Sequence, residues 1–325
     1  MSDKPQHGFE LCFTTVREWQ SLQDGKGEMG EPRSREREAL VKSRHDDQLA
    51  ADEAALAAAL EHAFPVRLIG TFSGLVTCTL DETLPALAAR PEVQAFDQLP
   101  VVDDGRIVGL LRRRAFTADP PAQGTVRDVF DRIDETMLIA ADAGILGFLL
   151  AAKTSPCRLI LDGVRITGLV SKSDLQKLPV RSLLFHIVTH LELAMAAWIR
   201  RHFADDATWL GVLTESRSAA VEQRYRELAE ARLAIDRLTA TMFADKRAVI
   251  LRTANLPLSR NRAKADFEAI EALRDAVAHI GDYALSQEAA DRTIDTVALT
   301  RFWIATLHDL QPDPKAPRLR AMLDD

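Results

Sequence analysis

Cysteine is scarce in this chain of 325 residues, where Cys12, Cys78 and Cys157 are the only three. They stand far apart, so they offer neither a disulfide framework nor the close spacing of a cysteine metal site. We therefore expect a reducing compartment, the cytoplasm, and no bound metal.

Long apolar segments are also lacking. The first residues, MSDKPQHGFE, contain no apolar signal core. No uncharged apolar run approaches the roughly 20 residues that span a bilayer, so no membrane partner is predicted. With 47% hydrophobic and 27% charged residues, the composition is that of an ordinary globular protein. A net charge of −7 gives no global attraction to nucleic acid.

A repeated pattern is the clearest positive feature. Cys157–Leu175 (CRLILDGVRITGLVSKSDL) reads as strand, turn, strand and helix start, and Gln98–Phe116 (QLPVVDDGRIVGLLRRRAF) reads the same way. One ungapped shift of 59 residues superimposes five positions, which predicts an internal duplication of a βαββα unit. The coinciding pairs are Asp103 with Asp162, Arg106 with Arg165, Ile107 with Ile166, Gly109 with Gly168 and Leu110 with Leu169.

The remaining elements of the two units follow from local patterns. In the second copy Ser171 is predicted as a helix N-cap, with an acid, Asp174, three residues on. In the first copy Asp81 is predicted to cap the first helix. The predicted elements are opening strands in Val66–Thr79, helix Asp81–Phe96, a linker at Asp119, helix Val126–Ile133, strand Met137–Ala140, helix Ala143–Ala152 and a close at Leu178-Pro179.

Both copies resemble the second half of a CBS domain, in which a strand-turn-strand leads into a Gly-x-x-Thr/Ser-x-x-Asp/Asn motif. Gly168, Ser171 and Asp174 match that motif. The resemblance covers about residues 61–180, as repeats 61–118 and 124–180, and implies a tandem pair with an adenine nucleotide (AMP, ADP, ATP or a related molecule) as regulatory ligand.

The second copy has the residues that this ligand needs. A strand that delivers Ser171 to a helix N-terminus offers free N–H donors to phosphate, and the carboxylate of Asp174 can accept both ribose hydroxyls. The alternative is that the two residues merely cap their helix. The first copy departs from the motif, because Arg112 and Ala115 stand at the matching positions, so we expect weak binding or none there.

After Pro179 the pattern becomes helical throughout, which predicts an all-α bundle over residues 181–310. A partly helical extension over 1–60 precedes the repeats, and a tail, 311–325, follows the bundle. The predicted long helices are Arg181–Phe203, Arg217–Met242, Ala263–Leu285 and Gln287–Leu310.

The third of these helices carries Leu273-Arg-Asp-Ala-Val-Ala-His279, followed by Gly281. It resembles the Arg-polar-x-x-x-His motif of HEPN domains, helical bundles that often serve as ribonucleases or toxins. The resemblance implies metal-free cleavage of RNA by the ribose 2′-hydroxyl. His279 would move protons near neutral pH, Arg274 would stabilise the anionic phosphate, and Asp275 would orient either group.

The spacing alone does not distinguish this pair, because Arg181 and His186 share it, with Ser182 in place of the aspartate and without the glycine. On a straight helix, Arg274 and His279 would point about 140° apart. They would therefore need two protomers that share the motif across a two-fold interface, which predicts a homodimer. The alternative is a solvated arginine and histidine on a dimerising helix.

Lys246–Lys264 (KRAVILRTANLPLSRNRAK) precedes the motif helix and contains basic residues but no acidic or aromatic one. It predicts contacts with an RNA backbone, without base stacking; the alternative is a solvated loop. The basic residues are Lys246, Arg247, Arg252, Arg260, Arg262 and Lys264.

The sequence thus predicts an α+β protein, with a CBS-like pair followed by a HEPN-like bundle. The leading function is a ribonuclease or toxin-like effector regulated by an adenine nucleotide. One alternative is a non-enzymatic nucleotide sensor whose bundle dimerises or holds a partner. Another is an RNA-binding regulator that does not cleave.

Overall fold

The computed structural model describes residues 62–117, 123–231, 236–279 and 282–315, and the single residues 55 and 59. The extension predicted over 1–60, the linker at Asp119, Gly281 and most of the predicted tail lie outside the described residues.

Within the described residues, seven strands form two sheets, one for each repeat. The first sheet has the order β1-β2-β3-β4 and the second the order β5-β6-β7. In each sheet a short strand pairs in parallel with the first strand of an antiparallel hairpin. The strands are β1 (Cys78–Thr79), β2 (Gln98–Asp103), β3 (Arg106–Arg112), β4 (Asp131–Arg132), β5 (Leu138–Ala140), β6 (Cys157–Asp162) and β7 (Arg165–Ser171).

The two hairpins coincide in the predicted register. Adding 59 to each end of β2 and β3 gives the ends of β6 and β7. Both hairpins also carry a register shift at the same place, between Val101 and Val102 in β2 and between Ile160 and Leu161 in β6. The two copies therefore share their hairpin backbone, including its irregularity.

A backbone segment of each repeat pairs with the sheet of the other repeat. Asp131, in the second copy, pairs with Leu110 of β3. Thr71, in the first copy, forms a bridge with Leu169 of β7, through N–H···O=C bonds of 2.8 and 3.1 Å. The two halves are therefore joined by exchanged edges in addition to side-chain packing.

Three short α-helices complete the repeats: α1 (Leu84–Ala88), α2 (Val126–Val129) and α3 (Ile145–Ala151). The predicted helix from Asp81 to Phe96 is wrong in extent, because Thr83 is the N-cap and a separate 3₁₀ helix spans Pro91–Ala95. Proline cannot continue a helical hydrogen-bond ladder, so the first helix ends before Pro91.

The opening strands predicted in Val66–Thr79 are mostly another conformation. Val66–Leu68 is a 3₁₀ helix, and the only named strand in that described range is β1. Pro179, predicted to close the second repeat, instead lies in the first turn of a long helix, where its missing N–H costs nothing.

Six further helices follow in the part of the chain that the structure describes, and α4 is the longest of them. They are α4 (Leu178–His202), α5 (Asp206–Leu210), α6 (Glu215–Glu230), α7 (Phe243–Thr253), α8 (Arg260–Ala278) and α9 (Gln287–Asp309). α4 packs against α7, α8 and α9, and α9 also packs against α3 of the second repeat.

One hydrophobic core joins the second repeat to the helices. Phe148 and Leu175 of the repeat belong to the same buried cluster as Trp198 of α4 and Trp303 of α9. The first repeat has a smaller core of its own, which includes Leu87, Leu111 and Phe116. The second repeat and the helical part therefore fold against each other as one body.

Helix α4 is long and apolar enough, by length and composition, to cross a membrane. Its buried side chains, such as Leu184, Leu191 and Trp198, are also part of the shared core. A central core helix of a globular protein has these same properties.

Candidate ligand cleft and polar centre of the helical part

Strand β7 ends at Ser171, which caps a 3₁₀ helix over Lys172–Gln176, as the sequence predicts. Oδ2 of Asp174 accepts hydrogen bonds from the Ser171 N–H (2.7 Å) and from Ser171 Oγ (3.3 Å). Its Oδ1 pairs with Lys177 Nζ at 2.7 Å. The capping interpretation is therefore confirmed, and it fixes the carboxylate of a residue that is only 5% exposed.

Ser171 and Asp174 line a cleft of about 380 Å³ between the two repeats. The first repeat contributes two segments and the second repeat contributes the ends of β6 and β7. Gln287, the first residue of α9, belongs to the same wall. The other lining residues are Thr71, Gly74, Leu75, Val76, Ala95, Phe96, Asp97, Gln98, Pro100, Pro156, Cys157, Leu169, Lys172 and Ser173.

Gly168, a predicted ligand residue, is not among the described residues that line this cleft. A Cβ at Gly168 would lie 2.4 Å from the carbonyl oxygen of Thr71 and 2.8 Å from the ring of Phe72. Gly109 has the same relation to Asp131 and Phe130 in the first sheet. Both glycines thus admit the exchanged backbone of the other repeat.

In the first copy, Nε of Arg112 pairs with Asp131 at 2.6 Å. The arginine at the motif's Ser/Thr position therefore secures β4, and Ala115 offers no acceptor where the second copy has Asp174. Both Arg112 and Ala115 therefore support the expectation that the first copy binds a nucleotide weakly or not at all.

Burial changes the acidity of the cleft's cysteine. Desolvation, with the nearby charge of Asp174, raises the pKa of the Cys157 thiol from 9.0 to about 12. Burial likewise raises the pKa of Cys78 to about 12. The neutral thiol predominates at physiological pH, so neither side chain is a nucleophile in the folded protein.

We predict that Cys157 resists alkylation in the native protein. Iodoacetamide at pH 8 should modify it at least about tenfold more slowly than in urea, because thiolate is the reactive form. Mass spectrometry of the Cys157 peptide measures this, with the unfolded chain as control. Equal rates in both states would contradict the prediction.

The raised pKa of Cys157 should also lower the free energy of unfolding as pH rises from 9 towards 12, because the thiol of the unfolded chain then loses its proton first.

The basic stretch Lys246–Lys264 is not a loop, because α7 and the start of α8 account for most of it. Lys246 is 5% exposed and pairs with Glu192 at 3.1 Å, while Arg247 pairs with Glu271 at 2.5 Å. Both charges are paired within the fold, and the RNA contacts predicted for Lys246 and Arg247 stay a prediction.

The other four basic residues lie nearer solvent, and three of them have a partner within the protein. Arg252 donates to the carbonyl oxygen of Val212. Arg262 pairs with Asp266 at 3.1 Å and Lys264 with Glu268 at 3.6 Å, both along α8. Arg260 begins that helix and is exposed. Contacts between RNA and these four residues stay a prediction.

Helix α8 buries Phe267, Ile270, Leu273 and Val277 at helical spacing and ends at Ala278. His279 is its C-cap, with an extended backbone (φ −102°, ψ 166°). The 140° separation calculated for a continuous helix therefore does not describe His279. Both ends of the motif nevertheless face solvent: His279 is exposed, and the side chain of Arg274 is 36% exposed.

Two residues that sequence reasoning missed organise this region. Glu192 of α4 lies 3.7 Å from Arg274 Nε and also holds Lys246. It is the only acid in the 25 residues of α4, which is the signal that could have identified it. The second is Arg181, which has the same spacing to His186 as Arg274 has to His279. It donates to the carbonyl oxygens of Ala276, Val277 and His279 and so caps α8.

Within the described residues, no group of three histidine, cysteine, aspartate or glutamate side chains is placed to hold a metal ion.

No family model matches this chain, and no curated protein matches it. The solved structures to which it is similar include several CBS-domain proteins. One is the CBS domain of a bacterial CNNM/CorC family Mg²⁺ transporter in complex with ATP, at 18% identity, covering 40% of this chain and 96% of that one, with a TM-score of 0.32. Another is a hemolysin-like protein containing a CBS domain from Oenococcus oeni PSU, at 12% identity, covering 37% and 93%, with a TM-score of 0.31.

The chain is also similar to the solved structure of Hypoxic Response Protein I with two coordinated zinc ions, at 23% identity, covering 34% of this chain and 95% of that one, with a TM-score of 0.28. Each similarity covers less than half of the chain at a low score, so we base the function on this chain's own geometry.

Proposed function

We propose that this chain is a regulatory protein whose CBS-type pair binds an adenine nucleotide and whose helical part responds to it. The observation that carries the proposal is the cleft between the repeats, in which Ser171 and Asp174 occupy the motif positions. Its volume of about 380 Å³ lies within the range of small-molecule sites. Lys172, which lines the cleft, supplies a cationic donor, and Asp174 supplies an acceptor.

The helical part contacts the ligand site directly, and this contact allows it to respond to a bound ligand. Gln287 of α9 is part of the cleft wall, and the core is continuous from the second repeat into α4 and α9. A ligand that prefers one arrangement of these elements shifts the population of that arrangement.

We expect Asp174→Ala to weaken AMP or ATP binding by about 10–100-fold, since a hydrogen bond to a charged group contributes about 1.5–3 kcal/mol. Isothermal titration calorimetry measures the loss. Asp128→Ala is the matched control: Asp128 forms the same capping box, with Thr125 N–H at 2.9 Å, away from the cleft-lining residues. Equal affinities for Asp174→Ala and wild type would refute the site.

A second candidate function for the helical part is metal-independent RNA cleavage. The specific observation in its favour is that Arg274, Asp275 and His279, in the last turns and the C-cap of α8, are all accessible to solvent. Glu192 keeps Arg274 in an ion pair, so an RNA phosphate would have to compete with that carboxylate. The expected effect of substitution is large and is treated in the Discussion.

We also propose a homodimer formed through α4. Phe185 and Leu193 are 47% and 44% exposed on this central helix, and Leu178, two turns before Phe185, is 72% exposed. Light scattering of the full chain at micromolar concentration should give the dimer mass, and Phe185→Asp with Leu193→Asp should give the monomer. Val164→Asp, at a hairpin turn and 95% exposed, is the control. A monomeric wild type would contradict the proposal.

A further inference from the structure

Lys172 is a cation held between the ligand cleft and the helical part. It lines the cleft and is only 8% exposed. Its Nζ lies 2.6 Å from Oδ1 of Asp291, which belongs to α9. The aspartate side chain is 37% exposed, so the ion pair is buried on the lysine side and open on the other.

The same turn of α9 faces the cleft. Gln287, a cleft-lining residue, precedes Asp291 by four positions, which is about one helical turn. A ligand that occupies the cleft therefore lies beside the helix end that Lys172 holds. An ion pair connects this helix to the very residue that follows the cap Ser171.

Electrostatics makes this ion pair exchangeable. A buried ammonium needs an anion close by, because an uncompensated buried charge is strongly unfavourable. A nucleotide phosphate is such an anion, and it carries more charge and more acceptor oxygens than one carboxylate. Among the described residues that line the cleft, Lys172 is the only cation.

We propose that the phosphate of the bound nucleotide takes Lys172 from Asp291 and thereby releases the first turns of α9 from the second repeat. The inference rests on the proposed function, since it needs an adenine nucleotide in the cleft. Coupling is reciprocal: if the phosphate breaks this ion pair, then weakening the ion pair must strengthen phosphate binding.

The chain provides a matched control on the same helix. One turn beyond Asp291, Asp295 pairs with Lys153 at 2.7 and 2.9 Å. This pair also joins the second repeat to α9, but it is more exposed, and neither residue is among the described residues that line the cleft. Removing it perturbs the same interface without freeing a cation for the ligand.

The test is calorimetric titration of the full chain with AMP and with adenosine, which lacks the phosphate. In Asp291→Asn, AMP should bind about 5–10-fold more tightly than to wild type, at the lower end of typical coupling, while adenosine affinity stays unchanged. Asp295→Asn should leave both affinities unchanged. In Lys172→Gln, AMP should lose its advantage over adenosine. Thermal melting establishes that each variant is folded.

A second readout covers the case in which Asp291→Asn does not fold. Hydrogen exchange of the wild type at residues 287–291 should accelerate with AMP and not with adenosine. If AMP and adenosine both bind wild type but neither the affinity gain nor the faster exchange appears, this inference is overturned and the proposed function stands. If neither ligand binds wild type, both are overturned.

Discussion

Gly168→Ala should destabilise the protein by about 3 kcal/mol, because overpacking costs about 1–3 kcal/mol and the hydrogen bonds of the exchanged edge are also lost. The added Cβ would meet the Thr71 carbonyl oxygen at 2.4 Å. That carbonyl accepts from Leu169 N–H and cannot retreat without breaking the bridge between the repeats. Thermal or urea unfolding measures the loss, which corresponds to a melting point lower by on the order of 5–10 °C.

Gly147→Ala is the matched control for this prediction. Gly147 lies inside α3, and a Cβ there would meet nothing within 4 Å. Alanine should therefore be neutral or stabilise by about 0.5–1 kcal/mol, since glycine is a poor helix former. If Gly168→Ala were as stable as Gly147→Ala, the exchanged edge would not constrain this position.

His279→Ala and Arg274→Ala should each lower RNA cutting by roughly 10²–10⁴-fold, if the helical part is a ribonuclease. Alanine at 279 removes the proton carrier, and alanine at 274 removes the cation that stabilises the phosphate. Cutting should produce 2′,3′-cyclic phosphate ends, persist in EDTA, and fail on an RNA with a 2′-deoxy nucleotide at the cleaved position. Gel analysis with and without ATP or AMP measures this.

Two controls separate chemistry from structure in that experiment. The His186→Ala variant, which alters the other arginine–histidine pair of the same spacing (Arg181 and His186), should still cut RNA. Arg181→Ala should act differently from Arg274→Ala, because Arg181 caps the C-terminus of α8 through the backbone around His279. It should lower the melting point as well as activity. If wild type and His279→Ala leave RNA equally intact with every ligand, cleavage is not a function of this chain and the sensor proposal remains.

Local patterns predicted the repeat hairpins closely. The ends of β6 and β7 follow from those of β2 and β3, because the short apolar runs and the turn residues between them are encoded within a few neighbouring positions. The cap at Ser171 was predicted for the same reason, since a capping box involves only residues three apart. The buried stripe of α8 likewise follows from helical periodicity.

Predictions that depended on distant partners were less successful. Lys246 belongs to a basic run in the sequence, yet it is buried, because Glu192 of another helix neutralises it. His279 lies inside the predicted helix Ala263–Leu285, yet the observed helix ends before it, where Arg181 of α4 donates to the terminal carbonyl groups. Charge and periodicity along the chain carry no information about such partners.

By itself, the sequence determined the duplicated strand-turn-strand units, the Ser171 cap and the mainly helical character of the described residues after Pro179, because these depend on contacts between near neighbours. Only the tertiary structure decided that Gly168 admits backbone from the other repeat, that Gln287 completes the cleft wall and that Lys172 is paired with Asp291. Each of these relations joins positions more than 90 residues apart in the sequence. The relations of Gln287 and Asp291 arise because burial of one shared core brings α9 against the second repeat.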